Sequence, residues 1–156
     1  MDKTALFQLT YGLYVLTAKA EKDNGCIVDA VMQLTDEPLR LAVCVNRNHL
    51  TNEMIKETNK FNLSVLTIEA PQETYAHFGY QSGREVDKFA DGQNVNRGSN
   101  GIVYITENTN AYLECKVEQA IEYETHTLFI AFVEEAKRLT EQNSVTYAQY
   151  RKEILK

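Results

Sequence analysis

The chain has 156 residues, of which 44% are hydrophobic and 24% charged, enough for one domain with a sizeable buried core. Its formal net charge of −6 excludes the dense basic stripe of a nucleic-acid surface, so any anionic ligand must find local cations. No run reaches the roughly 18 apolar residues of a membrane span, and MDKTALFQL lacks the basic flank and long apolar stretch of a secretory signal, so a cytoplasmic location is expected.

In chain order, YGLYVLTA (11–18) reads as the first strand, and EKDNG (21–25) as a hairpin turn, because Asn24-Gly25 tolerates positive φ. GCIVDAVMQLT (25–35) follows as one strand. Period-two alternation puts Cys26, Val28, Ala30, Met32 and Leu34 on a core face. Ile27, Asp29, Val31, Gln33 and Thr35 fall on the other, whose mixed polarity suits either a solvent-facing surface or the wall of a pocket for something polar and flat.

LRLAVCV (39–45) is the next strand, and NRNHLTNE (46–53) leaves it. There Asn46, Arg47, Asn48 and His49 lead into Thr51 as a helix N-cap, so polar donors and the positive end of a helix dipole converge. This arrangement suits a phosphate, and equally an ordinary turn and cap. FNLSVLTI (61–68) is a strand, and a second helix opens at Pro71.

In HFGYQSGREVDKFA (77–90), Phe78, Tyr80 and Phe89 flank Ser82, Gly83, Arg84, Asp87 and Lys88. Gly79 and Gly83 permit close backbone approach, the aromatics could stack on a planar ring, and Ser82, Arg84 and Lys88 could bind an anion. The same pattern fits a helix end whose aromatics enter the core. ADGQNVNRGSNG (90–101) reads as a loop, AYLECKVEQAIEY (111–123) and TLFIAFVEEA (127–136) as strands, and TYAQYRKEIL as a closing helix. Many short strands and few helices mean a small barrel or sandwich.

His126 begins the last strand; its neutral imidazole would suit the edge of a hydride-transfer site, or simply a bond to neighbouring backbone. Cys26, Cys44 and Cys115 lie far apart with no CxxC pair, and no two histidines stand at ligand spacing. Metal catalysis and nucleophilic acyl transfer are set aside.

Eight ordered segments, YGLYVLTAK, NGCIVDAVMQLTDEP, NRNHLTNEMI, FNLSVL, HFGYQSGREVDKF, AYLEC, THTLFI and VTYAQYRK, resemble the flavin reductase-like family of FMN-binding split-barrel proteins. The resemblance covers nearly the whole chain. It looks like the NADH:flavin oxidoreductase domain of high-molecular-weight rubredoxins and like flavoredoxins. It implies a mainly β fold, a six-stranded antiparallel Greek-key split barrel with a few short helices, forming a homodimer with FMN near the interface.

The resemblance also implies roles. The flavin ring would lie along Asp29, Ala30, Val31, Met32, Gln33, Leu34 and Thr35. The phosphate would meet Asn46, Arg47, Asn48 and Thr51, with Phe78, Gly79, Ser82, Gly83, Arg84 and Lys88 approaching from the second cluster. His126 would stand beside the nicotinamide of NADH or NADPH as the catalytic residue. The implied activity passes electrons from NAD(P)H through FMN to a flavin or small redox protein, such as a separate rubredoxin or flavodiiron-type acceptor. Two alternatives remain: a flavoredoxin-type carrier reduced by another protein, and a split barrel that has lost flavin and binds another ligand or merely dimerises.

Three departures from the family pattern stand out. Asp29-Ala30 replaces a common Asn-Thr, which would alter flavin tuning. FIAFV replaces FIGEV, putting Ala131 and Phe132 where relatives carry a glycine and an acid. With no CxxC pairs in the chain, an iron–sulfur partner is expected to be a separate protein.

Overall fold

Antiparallel strands account for most of the apolar sequence. The computed structural model describes residues 1–155. After a 3-10 turn at Lys3–Gln8, the elements run β1 (Tyr14–Lys19), β2 (Asp23–Val28), β3 (Val31–Asp36), β4 (Leu39–Asn46), α1 (Leu50–Thr58), β5 (Lys60–Leu66) and α2 (Gln72–Gly79). They continue through β6 (Val95–Arg97), β7 (Val103–Ile105), β8 (Thr109–Glu122) and β9 (His126–Arg138) to a short helical turn at Tyr147–Gln149 and a π turn at Tyr150–Ile154.

Seven strands form one antiparallel sheet in the order β2-β1-β5-β8-β9-β4-β3, and β6 pairs with β7 alone. The edge strands β2 and β3 are the two halves of one stretch of chain, separated only by Asp29 and Ala30. At that kink the Val31 N–H donates to the Asp29 carbonyl (3.0 Å), and the Cys44 N–H donates to the Ala30 carbonyl (3.0 Å). The kink carries the strand from one edge of the sheet to the other. Counting β2 and β3 as one bent strand, the sheet is a six-stranded barrel split at this seam. The register irregularities in β8, at Glu114/Cys115 and Val117/Gln119, are the bulges that let a long strand coil around it.

The barrel interior holds Leu16, Val43, Val45, Phe61, Leu63 and Phe129, all at 0% exposure, and α1 plugs one end with Met54 and Ile55. Burying each such side chain contributes about 1.5–3 kcal/mol. A second cluster, built on Leu13, Val15, Leu66, Tyr75, Phe78 and Val145, fastens α2 and the C-terminal turns to the outside of the sheet. Among the described residues no helix is long and apolar enough to cross a membrane.

The structure corrects four readings of the sequence. The stretch 25–35 is not one flat strand. The seam reverses its faces, so Cys26 and Val28 are buried as expected while Met32 and Leu34 stand 61% and 39% exposed. The β1–β2 hairpin exists, but its turn is Ala20–Lys22, and Asn24 and Gly25 lie inside β2 opposite Ala18 and Thr17. The cap of α1 is His49 rather than Thr51, without a side-chain capping bond. The 90–101 stretch is not all loop, since Val95–Arg97 pairs with Val103–Ile105.

Candidate functional site

Where β2 passes the N-terminus of α1, the loop after α2 folds back over both and leaves a cleft of about 250 Å³. Asn24 and Cys26 of β2 line it, with Asn48, His49, Leu50 and Thr51 on one side and the Phe78–Gly83 segment with Lys88 on the other. Gly83 is required there: a Cβ at that residue would meet the Asn24 side chain.

The cleft is polar and unevenly satisfied. Lys88 is only 5% exposed, and its Nζ donates to the carbonyls of Gly25 (2.7 Å) and Phe78 (2.9 Å). Its own carbonyl lies 2.6 Å from His77 Nε2, which fixes the backbone behind the amine. An ammonium has three donors, so this arrangement leaves one for a ligand. Lys22 Nζ donates to the Gly83 carbonyl at 2.5 Å, adding a second cation to the same loop. Burial holds the Lys88 amine below the ordinary lysine range, and the Lys22 charge pushes the same way against the opposing pull of Cys26.

Two buried polar atoms without partners belong to the same cleft. Asn24 Nδ2 donates to Thr51 Oγ1 at 2.9 Å, which leaves Asn24 Oδ1 without a partner. His49 Nδ1 is likewise buried and unpaired. Burial lowers the His49 pKa, with the charges of Lys88 and His126 acting in the same direction, so the ring is neutral at pH 7. Because His49 caps α1 without a side-chain bond, the positive end of that helix also stays available to an anion. Burial pushes the Cys26 thiol up to about 11, against the Thr51 hydrogen bond and Lys88, so it serves as a neutral wall.

The cleft therefore brings together Asn48, Thr51, Phe78, Gly79, Ser82, Gly83 and Lys88 from the expected set. Arg84 stands at its rim, its guanidinium bonded to both Glu53 carboxylate oxygens (3.1 and 2.8 Å). Asn46 Oδ1 accepts from the Asn48 N–H (2.9 Å), shaping the turn behind the cleft. Arg47 turns the other way. Its Nε pairs with Glu122 at 3.2 Å and its Nη1 donates to the Tyr123 carbonyl at 3.0 Å, tying the turn to the β8–β9 hairpin.

His126 is the first residue of β9 and lies opposite Asn46, with Nδ1 2.8 Å from Thr125 Oγ1. Its ring is exposed and does not line the cleft. Asp29 and Ala30 form the seam. Val31, Met32, Gln33, Leu34 and Thr35 run away from it along β3, with Gln33 and Thr35 spent on local backbone carbonyls. Asp29 also lines a neighbouring pocket of about 260 Å³ walled by Tyr75, Tyr80, Tyr147 and Tyr150, on which Gly79 and Tyr80 border as well. Phe132 lies under the Arg40 guanidinium at 4.7 Å on the outer barrel face.

His49 and Tyr80, members of the two clusters the sequence singles out, also line the cleft, whereas sequence reasoning missed Asn24, Cys26, Leu50 and Gln81. Alternation would have found the first two, since Asn24 shares a face with Cys26, but the Asn-Gly turn signal hid it.

A six-stranded split barrel with a cationic cleft beside its seam is the architecture of a flavin-handling oxidoreductase domain. The chain belongs to the flavin reductase-like domain family, whose profile matches residues 6–156. It is 42% identical over 151 residues to the high molecular weight rubredoxin of Moorella thermoacetica, covering 96% of this chain and 66% of that protein. It is 36% identical to the ferric-chelate reductase (NAD(P)H) of Archaeoglobus fulgidus, covering 96% of this chain and 89% of that one. Among solved structures, the Streptomyces globisporus C-1027 NADH:FAD oxidoreductase SgcE6 superposes with a TM-score of 0.83 at 21% identity, covering 92% of this chain and 85% of that one, which shows the shared fold.

Proposed function

We propose that this protein is an NAD(P)H:flavin oxidoreductase that uses FMN and delivers electrons to a flavin or a small, separate redox protein. The observation that carries the reading is Lys88. Among the described residues no carboxylate stands within salt-bridge distance of this buried amine. A buried charge without a counter-ion is costly, and an anion in the cleft would relieve it.

The residues present fit a flavin mononucleotide. Lys88, Ser82, Thr51 and the open end of α1 would hold the phosphate, with Asn24 Oδ1 as a buried acceptor for a hydroxyl and His49 Nδ1 as a buried partner that donates or accepts according to tautomer. The Asp29–Thr35 segment would flank the ring. A bound flavin supplies hydride acceptance and onward electron delivery, one or two at a time. The chain's task is then to bind, orient and exclude water. His126, exposed and opposite Asn46 in the β4–β9 ladder, would face the incoming nicotinamide. No side chain need act as a nucleophile.

A second copy of the chain completes the reading. Met32 and Leu34 on edge strand β3 are exposed, and Leu128 and Ile130 are half-buried on β9, so the outer face near the seam is apolar. A homodimer would cover it and close the seam over the ring.

The test is anaerobic mixing of the FMN-loaded protein with NADH and, separately, NADPH. Rapid bleaching of the oxidised flavin absorbance is expected. Flavin that stays oxidised with both donors would overturn the reductase reading in favour of a carrier reduced by another protein, and failure to take up FMN would overturn the flavin reading.

A further inference from the structure

We infer that the Glu53–Arg84 ion pair is a gate that admits a mononucleotide flavin and holds back a dinucleotide one. The inference rests on the flavin reading above and adds a specificity determinant to it. Glu53 lies in the first turn of α1, two residues after the cleft residue Thr51. Arg84 follows the cleft residue Gly83 directly. Their paired bonds, 3.1 and 2.8 Å, therefore join one rim of the cleft to the other. Arg84 Nη2 also reaches the carbonyl of the cleft residue Asn48 at 3.5 Å, a second tie from the Gly83 side to the α1 side.

A phosphate monoester ends inside such a cleft. A pyrophosphate carrying an adenosine must continue out of it, and has either to break the pair or to bend around it. Glu53 opposes that passage a second way, since it places a carboxylate on the rim and occupies the guanidinium that a second phosphate would otherwise engage. The Arg84 hydrogen bond holds the Glu53 carboxyl below its usual range, so the pair is fully ionised at neutral pH. Nothing in the barrel core depends on either side chain, both of which are exposed.

The test compares FMN and FAD affinity, by quenching of flavin fluorescence, for the wild type, Glu53→Gln, Glu53→Ala and the charge-swapped Glu53→Arg/Arg84→Glu. The ratio of the two affinities is the readout, because both flavins share ring, ribityl chain and first phosphate. The wild type is expected to prefer FMN. Both single variants should shrink that preference by about two- to fivefold, the scale of an exposed bidentate pair, and the swapped pair should restore it. Equal affinities in the wild type, or an unchanged ratio in both single variants, would overturn the gate and leave the flavin reading standing. Binding of neither flavin by the wild type would overturn both.

Discussion

Gly83 and Asn24 meet across the cleft so closely that a Cβ on residue 83 would lie 2.3 Å from Asn24 Oδ1. Asn24 cannot yield easily, because it is 1% exposed and bonded to Thr51. Gly83→Ala must therefore push the loop away from β2. The loop carries Ser82 and takes the Lys22 bond, so the variant should lose FMN affinity by tenfold or more and about 1–3 kcal/mol of stability. Flavin titration and a denaturant melt measure the two, and a variant with wild-type flavin affinity would show the contact to be slack.

Lys88 and Arg47 offer a direct contrast. Lys88→Met removes the buried cation and is expected to weaken FMN by about ten- to hundredfold, the usual loss for a hydrogen bond to a charged group. Arg47→Ala instead cuts an exposed tie to Glu122 and the β8–β9 turn, and should leave FMN affinity within about twofold of the wild type. The reverse order of effects would mean that the phosphate sits on the Arg47 side of the turn.

His49 sets a pH dependence. Burial, reinforced by the nearby Lys88 and His126 charges, holds its folded-state pKa below the ordinary histidine value of about 6.5. Below pH 6.5 the unfolded chain therefore binds more protons than the folded one, and stability falls as the pH drops towards the folded value. Its contribution is complete above pH 6.5. His49→Asn should flatten this acid limb, which unfolding midpoints taken between pH 7.5 and 5 will show; an unchanged slope would assign the limb to other groups.

Much of this was legible in the sequence, and the failures share a cause. The strands followed from alternation, and the Asn48–Thr51 and Phe78–Lys88 clusters do converge on one cleft. Alternation is a local signal, however, and the seam at Asp29–Ala30 is a consequence of barrel closure, which breaks the alternation between β2 and β3. Turn propensity misled at Asn24-Gly25 because a buried hydrogen bond to Thr51 outweighs it. Arg47 reads as an anion ligand beside a helix start, and the pairing the structure gives it is with Glu122, 75 residues further along the chain. No local pattern reports a partner at that separation.

Met32 distinguishes an edge strand that faces solvent from one that is covered. At 61% exposure within one copy of the chain, Met32 tolerates almost any substitution, and Met32→Lys should change the stability of an isolated barrel by no more than about 0.5 kcal/mol. In the proposed homodimer the same lysine would be desolvated against a second apolar face, with its charge unpaired. Sedimentation should then show a dimeric wild type and a folded, largely monomeric variant. Since β3 also flanks the proposed ring site, FMN affinity should fall in parallel with dissociation and recover at high protein concentration. A monomeric wild type that still holds FMN would remove the second copy from the site and leave the cleft around Lys88 to bind the flavin alone.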